Sequence, residues 1–267
     1  MPTTKQRREN ARRRLERQIQ RRQEAAAARK RRNLVMAAGL GVLVVIAAVV
    51  LVVTQVGGNG GSTAAAPTPS ATPSASTAAA KGDCTYTKAG TPTKNAGQPA
   101  NAKVPTSGTV NVDVATTRGD MTFALDRAKA PCTVNSFLYL AGKKYFDNTP
   151  CHRLTTAANF GVLQCGDPGG SGSGGPGYSF NDELDKNGKY TKGVLAMANS
   201  GPNTNGSQFF IVYKDTQLQP NYTVFGTVSK GLPVVEAVAK GGSDNSNGDG
   251  DGKPKLPIKL TAVTIAT

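Results

Sequence analysis

The chain is short of the residues that most metal and acid–base chemistry uses. Its 267 residues include no tryptophan, one histidine (His152) and four cysteines, with no Cys-x-x-Cys among them. A zinc site of the usual Cys/His composition is therefore not expected. Acidic residues are also few, 17 against 32 Lys and Arg, for a net charge of +15. That imbalance sits mainly in one place. Residues 1–33 hold 13 basic and three acidic residues, a net +10, so basicity belongs to a tail and says little about a folded domain. A basic helix beside a membrane orients the chain and lies on anionic lipid, which is the expected partner of the tail, and no nucleic-acid partner is expected.

Apolar stretches long enough to cross a bilayer are equally scarce. Leu34 to Val53 is the exception: 20 residues without a charged or polar side chain. At about 1.5 Å per residue it spans a hydrocarbon core of about 30 Å. Arg29-Lys30-Arg31-Arg32 abuts one end and nothing charged follows until Lys81. The positive-inside rule then predicts a single-pass cell-membrane protein, N-terminus cytoplasmic and everything after residue 54 extracytoplasmic. A cleaved secretory signal is the rival, but signal cores are usually about 7–15 residues long. Residues 54–80, rich in Gly, Ala, Ser, Thr and Pro, cannot build a core and read as a flexible tether reaching about 30 Å. Residues 81–106 read as an extension tied down through Cys84. All four cysteines fall on the predicted outer side, where one or two disulfides can form, in any of three full pairings.

From residue 107 the pattern becomes globular. Val110, Val112 and Val114 alternate, Thr117–Asp120 turns, and Met121, Phe123 and Leu125 alternate again, predicting a hairpin with one apolar face. Pro131 opens a predicted helix whose Val134, Phe137, Leu138 and Ala141 share a face, with Gly142 at its end. Short strands are expected near Leu163, Leu195, Phe210 and Val224, a second helix over 233–239, and a last strand over 258–265. Many short strands with two helices predict a mainly β, closed antiparallel barrel capped by helices. The segment Asn245–Asp251 looks like half a calcium loop without its final acid, and reads as a solvated loop.

Three blocks carry chemistry. They are Tyr145-Phe-Asp-Asn-Thr-Pro-Cys-His152-Arg153-Leu154; Leu163-Gln164-Cys-Gly-Asp167 with the glycine-rich run to Phe180; and Gly193–Val212 continued by Tyr222-Thr-Val-Phe225-Gly226. Together, over residues 107–267, they resemble the cyclophilins, peptidyl-prolyl cis–trans isomerases built on an eight-stranded barrel with two helices. The resemblance implies an enzyme that rotates X-Pro bonds in exported or cell-wall proteins, as a monomeric domain with no cofactor and no covalent intermediate. The other reading is a cyclophilin-fold chaperone or binding module with little turnover. A cysteine hydrolase using Cys151 or Cys165 with His152 is a third reading from the residues alone.

By resemblance, Arg153 is the catalytic arginine and Gln164 the glutamine that orients it. Phe160, Val162, Met197, Phe210, Leu218 and Tyr222 surround the proline ring, while Ala198, Asn199 and Gln208 face the substrate backbone. The resemblance makes His152 structural. Ten residues separate Arg153 from Gln164 where the family usually has seven, so Phe160 and Val162 stand in for the family's phenylalanine and methionine. The tryptophan many members carry is absent, with Gln217 nearest, which implies weak cyclosporin binding.

Overall fold

The structure, a computed structural model, describes residues 81–266; the predicted cytoplasmic tail, span 34–53 and the tether 54–80 lie outside them. The hairpin forms as its alternation requires. Strands β4 (Thr109–Thr116) and β5 (Met121–Asp126) pair antiparallel from Thr109↔Asp126 to Val114↔Met121, with Val112, Val114, Met121, Phe123 and Leu125 buried. Helix α1 (Pro131–Gly142) follows, burying Val134, Phe137, Leu140 and Ala141. Its first-turn donors have no local cap. The Glu183 carboxylate serves instead, accepting Cys132 N–H at 2.9 Å and Thr133 N–H at 2.8 Å. A carboxylate there also suits the positive end of the helix dipole. Helix α2 (Leu232–Lys240) is the second.

The main sheet has ten strands: β4, β5, β6 (Thr149–Pro150), β7 (Arg153–Thr155), β8 (Val162–Cys165), β10 (Val194–Met197), β11 (Phe209–Val212), β12 (Val224–Lys230), β13 (Asp251–Gly252) and β14 (Lys259–Ile265). Their order is β13-β7-β8-β11-β10-β12-β5-β4-β14-β6. β7 and β6 stand eight places apart, roughly 38 Å in a flat sheet. Yet only residues 151 and 152 separate them in the chain, a reach of at most about 11 Å. The sheet must therefore curl. Its pairing order is open rather than closed among the described residues, and the short strands β6 and β13 take it from the expected eight strands to ten.

The chain before the hairpin packs against this body. Strand β1 (Asp83–Cys84) pairs with β3 (Ala102–Lys103), and β2 (Tyr86–Lys88) pairs with β9 (Tyr178–Phe180). A disulfide joins Cys84 to Cys132 at the start of α1, and a second joins Cys151 to Cys165. Among the described residues no cysteine is free, which removes the cysteine-hydrolase reading.

The sheet sorts its side chains into two apolar clusters by the two-residue period of a strand. The main cluster lies between the sheet and α1 and includes Phe123, Phe137, Phe146, Leu195, Phe209 and Ile211. The second, on the other face, is Val162, Tyr190, Val194, Ala196, Phe210 and Val212, with Phe160, Ala198, Leu218, Tyr222 and Val224 packed at its margin.

Candidate active site

Arg153 and Gln164 are 11 positions apart in sequence yet directly opposite each other, because β7 and β8 are antiparallel neighbours with Arg153↔Gln164 in register. Arg153 Nη1 donates to Gln164 Oε1 at 3.4 Å. Gln164 Nε2 donates to Gln208 Oε1 at 2.9 Å, and Gln208 Nε2 donates to the carbonyls of Gly172 at 3.0 Å and Gly174 at 2.8 Å. The two glutamines thus relay the order of the glycine-rich loop to the arginine. That loop is wound around one carboxylate. Asp167, fully buried, accepts hydrogen bonds from the N–H groups of Gly169, Ser171, Gly172 and Gly174 and from Ser171 Oγ. Burial alone would raise its pKa, but these donors outweigh it and hold the carboxyl below its ordinary value. Gly174 cannot carry a side chain, since a Cβ there would collide with the Asp167 carboxylate.

The strongest contact of Arg153 comes from a residue that sequence reasoning passed over. Asp251 on β13 takes Nε–H on Oδ1 at 2.9 Å and Nη2–H on Oδ2 at 2.6 Å, a bidentate ion pair. The segment read as a solvated loop is a compact turn whose end forms an edge strand, and Asp251 faces Arg153 because β13 pairs with β7. The Arg153 pKa is raised and the Asp251 pKa lowered, in both cases first through their mutual hydrogen bonds.

Next to this cation lies the second apolar cluster. The guanidinium carbon stands 5.7 Å from the Phe160 ring centroid, so the longer segment before β8 returns an aromatic ring to the site. Phe210 packs edge-on against Tyr222 at 5.5 Å between centroids, and Tyr190 lies 6.1 Å from both rings. Tyr190 Oη donates to the Tyr222 carbonyl and accepts the Tyr222 N–H, fixing that ring's backbone. Val162, Phe160, Phe210, Leu218, Tyr222 and Ala198 all meet here. Met197 does not. It belongs to the main core, because the apolar run Val194–Ala198 alternates, sending Ala196 and Ala198 to the patch and Leu195 and Met197 to the opposite face. A run buried on both faces hides its phase from the sequence.

Ala198 N–H donates to the Gln208 carbonyl at 2.9 Å. Asn199 Nδ2 holds the Asn221 carbonyl at 2.9 Å, so its side chain braces one loop against another. A recess of about 430 Å³ adjoins Gln164, Ala198, Asn199 and Gln208, and Ala89–Thr91 of the N-terminal extension form part of its wall. A larger one, about 1230 Å³, lies elsewhere against Lys81, Glu183 and Lys189; none of the predicted site residues lines it, and of the apolar cluster only Val194 and Val224 reach it.

His152 is buried, with 9% of its surface exposed, and neither ring nitrogen has a hydrogen-bond partner among the described residues. Burial lowers its pKa, which keeps it neutral near pH 7 and fits a packing role. Among the described residues no group of three His, Cys, Asp or Glu side chains is placed to hold a metal. The arrangement offers a fixed cation, polar backbone groups and an apolar patch, and no activated nucleophile.

The same architecture is found in known proteins. Residues 111–265 match the family model described as cyclophilin type peptidyl-prolyl cis-trans isomerase/CLD. A probable peptidyl-prolyl cis-trans isomerase B of Mycobacterium leprae is 48% identical over 181 residues, covering 62% of this chain and 61% of that protein. Its Mycobacterium tuberculosis counterpart is 44% identical over 217 residues, covering 74% and 68%. The matched region thus spans about three fifths of the first relative's length. A crystal structure of a Cryptosporidium parvum cyclophilin superposes with a TM-score of 0.53 at 34% identity, covering 60% of this chain and 99% of that one. Another structure of that cyclophilin, solved in the presence of the dipeptide Ala-Pro, gives 0.52 at 35% identity, covering 59% and 99%. The family match takes in more than half of the chain, and nearly the whole of a solved cyclophilin overlays on it, so this protein belongs to the cyclophilin-type peptidyl-prolyl cis–trans isomerases.

Proposed function

We propose that this chain accelerates rotation about X-Pro bonds in polypeptides folding outside the cytoplasm, with Arg153 as the catalytic cation and residues 34–53 as its membrane anchor. The observation that carries the chemistry is the bound state of Arg153. Three of its five N–H donors are engaged, one each on Nε, Nη1 and Nη2, which leaves one on Nη1 and one on Nη2. The side chain is about one third exposed, so these donors can reach a ligand.

The X-Pro barrier of about 18–20 kcal/mol comes from amide resonance, which spreads the nitrogen lone pair onto the carbonyl. As the bond twists, the lone pair localises on nitrogen and becomes an acceptor. A cationic donor aimed there strengthens its hydrogen bond in the transition state and has little to hold in the planar ground state. A hydrogen bond to a charged group is worth about 1.5–3 kcal/mol, or roughly 10- to 150-fold in rate. The apolar patch of Phe160, Val162, Ala196, Phe210, Leu218 and Tyr222 is suited to a proline ring and excludes water from the twisting bond, which strengthens the same interaction. The neighbour solved in the presence of Ala-Pro supports a proline-bearing peptide as the ligand.

Two disulfides among the described residues support an oxidising compartment. Exported proteins there are the clients this activity would serve, because uncatalysed prolyl isomerisation takes about 10–100 s and limits folding. Exchange spectroscopy on an Ala-Pro tetrapeptide tests the activity, and protease accessibility of intact cells tests the compartment. A chain that binds the peptide without speeding exchange, or a domain shielded from external protease, contradicts the corresponding half of the proposal.

A further inference from the structure

We propose that Asp251 is a positioning residue for Arg153, holding the guanidinium so that its two free donors face the substrate. The inference rests on the reading of Arg153 as the catalytic cation.

The fold places Asp251 there by strand register. Asp251 pairs with Thr155, and Gly252 with Leu154. Arg153 and Thr155 are two residues apart on β7 and so point to one face. Asp251, opposite Thr155, lies on that face diagonal to Arg153, within reach of a long side chain. The carboxylate grips the edge of the guanidinium formed by Nε and Nη2, the planar fork geometry that arginine matches best. Gln164 adds only one contact, at 3.4 Å on Nη1. Asp251 therefore supplies the two short bonds that fix the plane of the cation, and Gln164 only trims its rotation.

The turn behind Asp251 is organised to aim it. Asp244 Oδ1 accepts the N–H groups of Ser246 at 3.0 Å and Lys253 at 2.8 Å. Asn245, at φ 58°, accepts Gly250 N–H and the Ser243 hydroxyl. Thr156 N–H donates to the Gly250 carbonyl at 2.7 Å, locking the turn to the strand that carries Arg153. Asn247 Nδ2 donates to Asp251 Oδ1 at 3.2 Å, so the carboxylate is itself held from behind. A Cβ on Gly252 would strike Asp244 and the backbone of the turn, so the close approach needs glycine. Asn, Gly and Asp, read in sequence as a solvated or cation-binding stretch, here serve one carboxylate.

The pair is only partly buried, with 34% of the arginine side chain and 25% of the aspartate exposed. Ion pairs at such sites add little to stability. Losing this one should therefore cost activity far more than it costs the fold, which separates positioning from a structural role. A displaced reacting group costs on the order of 100-fold per ångström.

The experiment measures kcat, KM and melting temperature of the full chain for Asp251→Ala, Asp251→Glu, Asp249→Ala and Arg153→Ala, with an Xaa-Pro peptide followed by exchange spectroscopy. Asp251→Ala is expected to lower kcat by roughly 10- to 100-fold, leave KM within about threefold, and move the melting temperature by less than about 4 °C. Asp251→Glu, which keeps the carboxylate, restores most of kcat, and Asp249→Ala, which touches neither partner, changes nothing. Arg153→Ala inactive with Asp251→Ala at full kcat overturns this inference alone, as does a loss confined to KM or matched by a collapse in melting temperature. Arg153→Ala at full activity overturns the reading of Arg153 and this inference with it.

Discussion

Asp167→Asn is the substitution whose cost can be worked out most directly from the structure. The change is isosteric, so packing is unaltered and only hydrogen bonding is tested. In the native protein Oδ1 accepts Gly169 N–H at 2.8 Å, and Oδ2 accepts Gly172 N–H at 2.8 Å, Ser171 N–H and Oγ–H at 3.0 Å, and Gly174 N–H at 3.2 Å. An amide has one oxygen. If that oxygen keeps the four donors, the new NH2 group faces Gly169 N–H, donor against donor. Leaving a buried donor unsatisfied costs about 1–3 kcal/mol, and the four remaining bonds lose their charge assistance. We expect a loss of about 3 kcal/mol from a typical total of about 5–15 kcal/mol. At about 2–4 °C per kcal/mol this lowers the melting temperature by roughly 6–12 °C.

The pH dependence carries a second check. The folded pKa of Asp167 lies below its unfolded value, so its contribution is present in full above the unfolded pKa and is lost as pH falls through the folded pKa. The gap between native protein and Asp167→Asn, measured by urea unfolding, should be widest near neutral pH and shrink below the ordinary carboxylate range of about pH 4. Peptide turnover should fall as well, since Gly172 and Gly174 lose their hold on Gln208. Equal unfolding free energies at pH 7, within about 1 kcal/mol, would refute the role of Asp167 as the hub of this loop.

Other consequences follow from the same contacts. The Cys84–Cys132 disulfide closes a loop across a sequence separation of 48, so replacing both cysteines by serine should lower stability by about 4 kcal/mol in equilibrium unfolding; an unchanged unfolding midpoint would contradict its role as a staple. Turnover should be flat within about twofold from pH 7 to 8.5, because arginine stays charged and burial holds the His152 pKa below its ordinary value. A bell-shaped profile with a limb near pH 6.5 would instead give His152 an acid–base role.

The parts legible in the sequence were those set by local pattern. The β4–β5 hairpin alternates over 12 paired positions, and α1 is bracketed by Pro131 and Gly142, so both emerged close to their observed bounds. Arg153 and Gln164 could be named because they sit in motif blocks, and antiparallel pairing places them face to face. Met197 was misplaced for a physical reason: Val194–Ala198 is apolar throughout, and only the fold decides which residues face α1 and which face the patch. Asp251 was missed because its partner lies 98 positions away, and its local sequence reports only turn chemistry. Spacing left the cysteine pairing open, since loop closure depends weakly on loop length and so selects no one pairing.

In the proposed mechanism a fixed guanidinium lowers the rotational barrier. Its most direct test is kcat/KM of Arg153→Ala and Arg153→Lys on an Xaa-Pro tetrapeptide, with circular dichroism and melting temperature measured alongside. Alanine should lose roughly 10- to 150-fold, lysine, which cannot reproduce the bidentate grip of Asp251, should recover only part of it, and both should keep an intact fold. Native turnover in Arg153→Ala would contradict the mechanism.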